Sequence, residues 1–223
     1  DSTVQSQARY LLLVGVQGSG KGTQAKVLVN KLGIPHVSTG DLFREMKTLD
    51  TPLAREIQAV MNSGKLISDE ITLKVVRERL SRPDAKNGVI LDGFPRTQPQ
   101  AEGLDELLKE FGAQVTRVLY LKLDDAEAID RIVTRRLCSK NPDHVFNVKS
   151  KPPKVAGVCD IDGAPLIQRP DDTEEKAQKR IADFHSETEP LLVRYGKRGA
   201  VCEVKADQSV ERVSADLLAC LGM

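Results

Sequence analysis

The sequence has no tryptophan, and aromatic residues make up only 4% of it. That is too little for a platform of stacked rings on single-stranded nucleic acid. The net charge is +1 over 223 residues, so no bulk field draws the chain to a polyanion or a membrane surface. No apolar run approaches the roughly 18 residues of a membrane span, and no secretory signal precedes Tyr10. Four cysteines, Cys138, Cys159, Cys202 and Cys220, are too scattered for a secreted disulfide framework. Reduced thiols, a cytoplasmic location, a monomeric state and no nucleic-acid or membrane partner are therefore expected. Also missing is any histidine or cysteine at a spacing that makes a nucleophile–base pair. His36 reads as a packing or surface residue.

What is present is glycine at one decisive place. The apolar run Tyr10-Leu11-Leu12-Leu13-Val14 enters Gly15-Val16-Gln17-Gly18-Ser19-Gly20-Lys21-Gly22-Thr23-Gln24, and a helix-forming segment follows to about Leu32. Strand, glycine-rich turn and helix in that order make a phosphate cradle: backbone N–H groups converge, the helix N-terminus adds its positive end, and Lys21 reaches the outer phosphates. Gly22 stands where the general pattern has Ser or Thr. The nearest hydroxyl is Thr23.

A second strand is expected at 35–38, and Thr39 or Asp41 as the cap of the helix after it. Helices are expected at 41–48 and 52–63, then another from about Ser68 whose Ile71, Val75, Val76 and Leu80 form a core face. Gly88-Val89-Ile90-Leu91-Asp92 is a buried strand ending in an acid, the arrangement that sets a carboxylate beside a phosphate loop. Gln100 lies on the helix after Pro99. A strand at 115–123 is followed by a helix at 125–137 whose outer side carries Arg131, Arg135 and Arg136, read as phosphate contacts. Residues 138–170 are rich in proline and glycine and break the α/β rhythm, so they form a small lobe. A long helix from about 173 must kink or restart at Pro190. A last strand at 200–204 and a helix at 209–221 close the chain.

Five strands alternating with helices imply a doubly wound parallel sheet with ligands at its C-terminal edge. The domains expected are a core of 1–37, 68–137 and 171–223, a helical insertion at 38–67 and a lid at 138–170. The inventory of one phosphate loop, one acid and many cations fits phosphoryl transfer, which needs positioning and charge neutralisation more than covalent chemistry. Two cationic groups suggest two phosphorylated substrates: Arg44, Lys65 and Arg96 for one, Lys21, Arg131 and Arg135 for the other, with Arg169 and Arg180 between them.

Several motifs agree in order: Gly15 to Gln24, Ser38-Thr39-Gly40-Asp41-Leu42-Phe43-Arg44, Asp92-Gly93-Phe94-Pro95-Arg96-Thr97, Arg131-Ile132-Val133-Thr134-Arg135-Arg136, Lys151-Pro152-Pro153-Lys154 and Arg169-Pro170-Asp171-Asp172. Over about residues 10 to 221 the chain resembles adenylate kinases of the long-lid, bacterial type, whose loop also reads Gly-Lys-Gly-Thr. The resemblance implies a P-loop NTPase-type five-stranded sheet and the reaction MgATP + AMP ⇌ 2 ADP. It implies Lys21, Asp92, Arg96, Arg135, Arg169 and Arg180 as the catalytic set. ATP is expected on Gly15, Gly18, Ser19, Gly20, Lys21, Gly22, Thr23, Arg131 and Arg135, with its base near Val145, Phe146 and Gln208. AMP is expected on Thr39, Gly40, Arg44, Met61, Lys65, Leu66, Ile67, Gly93, Phe94, Pro95, Arg96 and Gln100, with Arg169 and Arg180. Simple packing is the other reading of Met61 and Ile67. Mg2+ is expected near Asp92 and Thr23, held through water. A kinase for another nucleoside monophosphate, a GTP-dependent AMP kinase, and a non-catalytic nucleotide-binding protein on the same fold remain open.

The lid departs from many relatives, which carry four zinc ligands there. Here Cys138, Cys159 and Asp162 keep the spacing, but Asn141 replaces a thiolate, and a neutral amide is a poor ligand. Structural Zn2+ is therefore not expected, and a hydrogen-bonded polar latch is. Ser150 and Lys151 stand where many relatives have Phe-Asn, which removes an aromatic neighbour of the triphosphate's base and leaves donor selectivity open.

Overall fold

The computed structural model describes residues 8–223. In chain order its elements are β1 (Arg9–Gly15), α1 (Lys21–Leu32), β2 (His36–Ser38), α2 (Thr39–Met46), α3 (Pro52–Asn62), α4 (Asp69–Leu80), β3 (Gly88–Asp92), α5 (Gln98–Glu110), β4 (Arg117–Lys122), α6 (Asp125–Val133), β5 (Arg135–Cys138), β6 (Val145–Asn147), β7 (Leu166–Ile167), α7 (Glu174–Asp183), α8 (Glu189–Gly196), β8 (Val201–Lys205) and α9 (Val210–Cys220). Short 3-10 and π turns fill Pro83–Ala85 and Phe184–Thr188.

The main sheet has the order β2-β3-β1-β4-β8, with every neighbouring pair parallel. Both of its faces are covered, so its strands are continuous apolar runs rather than alternating ones. Tyr10, Leu12, Val89, Leu91 and Val118 face one side, against Met46, Ile57, Val75, Leu104 and Leu191 from the helices. Leu11, Leu13, Ile90, Leu119 and Leu121 face the other, against Ala25, Leu28, Ala128, Ile181, Val213 and Leu217. Leucines one apart in β1 thus anchor opposite layers, as a period of two requires.

Register places the chemistry. Leu13 of β1 pairs with Asp92 of β3, and Ser38 of β2 also pairs with Asp92. The acid therefore leaves the sheet at its C-terminal edge, between the start of the phosphate loop and the end of β2. Helix starts follow the capping rule: the side chains of Ser38, Thr51, Ser68, Thr97, Thr173 and Ser209 each accept a backbone N–H of the first turn. Ser38, rather than Thr39 or Asp41, caps α2.

One expected boundary fails, and one holds. The helix expected at 125–137 ends at Val133, and Arg135–Cys138 is a strand. It pairs antiparallel with β6 and β7 to form a separate three-stranded sheet. Ile129, Val133 and Leu137 fit a helical period, but Leu137 is claimed by Val145 and Ile167, 8 and 30 residues further on, where local pattern cannot see them. At Pro190 the helix does restart: α7 runs into the π turn, and Pro190 falls in the first turn of α8, where its missing N–H costs nothing.

One bridge also departs from the expectation of reduced thiols. Cys202 and Cys220 form a disulfide, whereas Cys138 and Cys159 are free and buried. No helix among the described residues is long and apolar enough to cross a membrane.

Candidate active site

A cleft of about 1610 Å³ opens at the C-terminal edge of the main sheet. Its floor is the phosphate loop. Gly18 and Gly20 have φ of 88° and 91°, a region closed to most side chains. A Cβ on Gly15 would lie 2.6 Å from Ser19 Oγ and 3.0 Å from the Leu121 carbonyl oxygen, so the loop can fold this tightly only with glycine there. The N-cap of α1 is Gly20, and no side chain caps that end, so its first N–H groups stay available to an anion. Ser19 Oγ is buried without a hydrogen-bond partner among the described residues. Gly15, Gly18, Gly20, Lys21, Gly22 and Thr23 line the cleft.

Beside the loop, Asp92 sits between two cations or donors. Its Oδ1 is 3.1 Å from Lys21 Nζ and its Oδ2 is 3.1 Å from His36 Nε2. Burial pushes the Asp92 carboxyl up, but the hydrogen bond from His36 and the charge of Lys21 outweigh it and hold the group below its ordinary value. It is therefore a carboxylate at neutral pH. His36, read from the sequence as a bystander, is the residue that aims this acid. The clue was its place at the start of β2, the strand next to the one that carries Asp92. A carboxylate with the exposed Thr23 hydroxyl across the cleft offers hard oxygen donors, which suit Mg2+.

Arginines form much of the remaining wall. Arg96, Arg131, Arg135, Arg169 and Arg180 all line the cleft. Arg131 donates to the Gly18 and Ala206 carbonyls at 3.3 and 3.0 Å and is braced by Glu127 at 3.1 Å. Arg135 makes a two-pronged pair with Asp172, at 2.8 and 3.2 Å. Asp172 is 1% exposed and also lies 3.9 Å from Arg180 Nη1. Arg180 further bonds the Gln17 side chain and lies 3.4 Å from Asp171. The hydrogen bond from Lys176, with the charges of Lys176, Arg180 and Arg169, keeps Asp171 below the usual carboxylate range. Asp172 and Gln17 were not singled out from the sequence. Nothing in local pattern tells a buried guanidinium clamp from a helix-starting acid. Arg136 does not join the wall: it donates to the Val133 and Arg135 carbonyls.

The residues expected for the monophosphate divide. Gly93, Phe94, Pro95 and Arg96 line the cleft. A Cβ on Gly93 would lie 3.3 Å from Arg96 Nη2 and 4.0 Å from Thr39 Oγ1, which brings these three residues together. Gly40 lies against the Arg44 guanidinium, which pairs with Asp41. Gln100 accepts the Arg96 backbone N–H at 2.8 Å and donates to Asp69 at 2.9 Å. Its amide is thus engaged at both ends. Met61 packs on the core, as its alternative reading had it. Lys65 and Leu66 are exposed on the 38–67 insertion, Leu66 at 95%, and with Ile67 they lie outside the cleft lining.

The lid supplies Val145, Phe146, Ser150 and Lys151 to the cleft. Phe146 is 3% exposed and packs with Cys138 and Cys159 in the lid's own small core. Lys151 Nζ stands 5.8 Å from the centroid of its ring, a cation against an aromatic face. Gln208 lines the far side, its amide held by the Lys205 carbonyl and Asp216.

Within the lid the fourth position of the cysteine cluster is taken by His144, not Asn141. Ligand atoms of Cys138, His144, Cys159 and Asp162 all lie within 4.8 Å of one another. Cys138 Sγ is 3.1 Å from Asp162, and His144 Nδ1 is 3.3 Å from Asp162 and 3.5 Å from Cys159 Sγ. Tetrahedral zinc with bonds of about 2.0–2.3 Å separates its ligands by roughly 3.3–3.8 Å; the three short separations are of that order, and the 4.8 Å spread would have to close by about 1 Å around an ion. The Ala164 N–H, with the Cys138 thiol, lowers the Asp162 carboxyl to about 2. Burial holds the Cys138 thiol above its ordinary value, so without a cation it is a thiol donating to Asp162. The β5–β6 turn sets His144 opposite Cys138, whose N–H donates to the His144 carbonyl at 3.0 Å. Asn141 stands behind, its N–H on Cys138 Sγ at 3.4 Å.

Comparison with known proteins adds an independent finding. The family model described as adenylate kinase matches residues 13–200. An adenylate kinase of Streptomyces avermitilis is 46% identical over 92% of this chain and 93% of its own. One from an Anaeromyxobacter species is 45% identical over 92% and 95%, and one from Caldicellulosiruptor bescii 41% over 96% and 99%.

Proposed function

The chain belongs to the adenylate kinase family and catalyses MgATP + AMP ⇌ 2 ADP, and we propose that the residues around the cleft divide this work as follows. Carrying the reading is a single observation: the phosphate loop, the Lys21–Asp92 pair and Arg96, Arg135, Arg169 and Arg180 meet in one cleft. The triphosphate lies on Gly15 to Thr23, where free N–H groups at the start of α1 receive its phosphates. Lys21 exchanges its bond to Asp92 for the outer phosphates. Asp92, oriented by His36, and the Thr23 hydroxyl would hold Mg2+ through water, and the ion would supply charge neutralisation. Arg131 lies along the donor's base, with Val145 and the chain near Gln208 on the same side. The monophosphate rests on Thr39, Gly40, Gly93 and Arg96, with Arg44, Lys65, Leu66 and Ile67 brought to it by closure of the 38–67 insertion. Gln100 fixes the Arg96 backbone in this scheme rather than reading the base alone.

Arg135, Arg169 and Arg180 neutralise charge on the transferring group, and Asp172 holds two of them in place. Closure of the lid over 138–170 excludes water, so the phosphoryl group passes to AMP and not to solvent. Zinc in the lid is part of the proposal: Cys138, His144, Cys159 and Asp162 would hold it and rigidify the closing lobe. The earlier objection to zinc rested on Asn141, and His144 removes it.

The test is kinetic. Lys21→Met is expected to cut kcat by 10²-fold or more while the thermal transition stays in place, by the usual scale of a lost charge-stabilising group. Arg96→Ala is expected to raise KM for AMP more than KM for ATP. An unchanged AMP dependence in Arg96→Ala would show that the monophosphate lies elsewhere. Turnover with GTP in the same assay reads the effect of Ser150 and Lys151 on donor choice.

A further inference from the structure

Cys202 and Cys220 are joined across 18 positions of sequence, with their Cα atoms 6.0 Å apart. Cys202 is the second residue of β8, and Cys220 is the last of α9. The bond therefore closes the β8–loop–α9 unit at its base, while the apex of that unit, from Ala206 to Val210, reaches the cleft.

The two ends of this unit are held differently. Near the apex, Gln24 donates to the Val210 carbonyl at 3.2 Å and accepts from Ser214 Oγ at 2.8 Å, and Val213 and Leu217 are buried. At the base, Leu218, Cys220 and Leu221 are only partly buried, and β8 is an edge strand paired with β4 alone. Noncovalent contacts thus keep the cleft side in place, and the covalent bond secures the far side. Both sulfur-bearing residues are half-buried rather than enclosed, unlike the lid cysteines.

We propose that Cys202–Cys220 is a reversible redox-modification site that sets the thermal stability of the enzyme and leaves its chemistry alone. Its partners are thiols and disulfides of the glutathione or dithiol-protein class. In reduction, a thiolate of a dithiol attacks one sulfur of the pair. The Cys–Cys bond breaks, and the other cysteine leaves as a thiolate and takes a proton. The dithiol's second thiolate then resolves the mixed disulfide, so two electrons and two protons pass from the dithiol to the pair and the dithiol becomes a disulfide. Oxidation by a low-molecular-weight disulfide runs the same exchange backwards.

The full chain is equilibrated with oxidised glutathione or with dithiothreitol, alkylated under denaturing conditions, weighed, and melted in parallel with assays at 25 °C. Expected results are two alkylated cysteines after oxidation and four after reduction, a Tm lower by roughly 6–12 °C in the reduced protein, and kcat and KM for ATP unchanged. Cys202→Ser/Cys220→Ser keeps both lid thiols, so it controls for effects of reductant there. It should match the reduced wild type and show no response to dithiothreitol. Should it fail to fold, Cys220→Ser and the reduced wild type carry the same comparison. Labelling of Cys202 and Cys220 after oxidation overturns the proposal, as does an unchanged Tm after complete reduction, or a fall in kcat that tracks reduction in the wild type and not in the variant.

Discussion

Asp172→Asn tests how the arginine wall is built. In the native chain the Asp172 side chain is 1% exposed and holds Arg135, itself 20% exposed, through two hydrogen bonds. The amide keeps the shape and removes the charge, leaving the Arg135 guanidinium largely out of water without its counter-ion. Breaking a buried pair by neutralising one partner costs about 3–5 kcal/mol. Arg135 keeps some solvent, so the lower end applies, and about 3 kcal/mol in a chain of this size lowers Tm by roughly 6–12 °C. The functional effect is separate. Arg135 and Arg180 lose the group that spaces them, and a misplacement of about 1 Å can cost 10²-fold in rate. Melting by calorimetry and ADP formation at 25 °C read the two effects, with Asp171→Asn as control. Asp171 is 60% exposed, and removing its solvent-screened pairs with Lys176 and Arg180 should leave Tm nearly unchanged. A Tm change in Asp172→Asn no larger than in the control would refute the desolvated pair. A large Tm change with kcat intact would refute the positioning role.

Two further outcomes are expected. Zinc titration should give one metal per chain in the wild type and in Asn141→Ala, but weak or no binding in His144→Ala; equal loss in both variants would reject His144 as the ligand. His185 bonds Asp125 at the start of α6 through Nε2 and Glu189 at the start of α8 through Nδ1. The Asp125 and Glu189 hydrogen bonds raise the imidazole above its ordinary value of 6.5. A raised folded value means that the stabilisation is complete below 6.5 and is lost as pH climbs through the folded value. The Tm gap between wild type and His185→Ala should therefore be widest in mild acid and close above neutrality; a gap that widens with pH would contradict the sign.

The phosphate loop, the acid at the end of β3, the parallel sheet and most of the arginines were legible in the sequence. Each is encoded locally, by glycine at positions that need it, by apolar runs of strand length, or by a helix start. The misreadings share one cause. His36 gained its role from a neighbouring strand 56 residues away in Asp92, Leu137 was claimed by the lid sheet, and His144 reached the cysteine cluster through a hairpin turn.

What the amino-acid order determined by itself was the cradle around Lys21, its helix and the choice of phosphoryl transfer, because short-range backbone sterics and charge inventory suffice for these. What only the tertiary structure decided was which group faces which: Asp92 between Lys21 and His36, Asp172 under Arg135, His144 in place of Asn141, and Cys202 against Cys220. Those pairings depend on strand register and helix packing, which arise from contacts between segments distant in the chain, and no local pattern carries them.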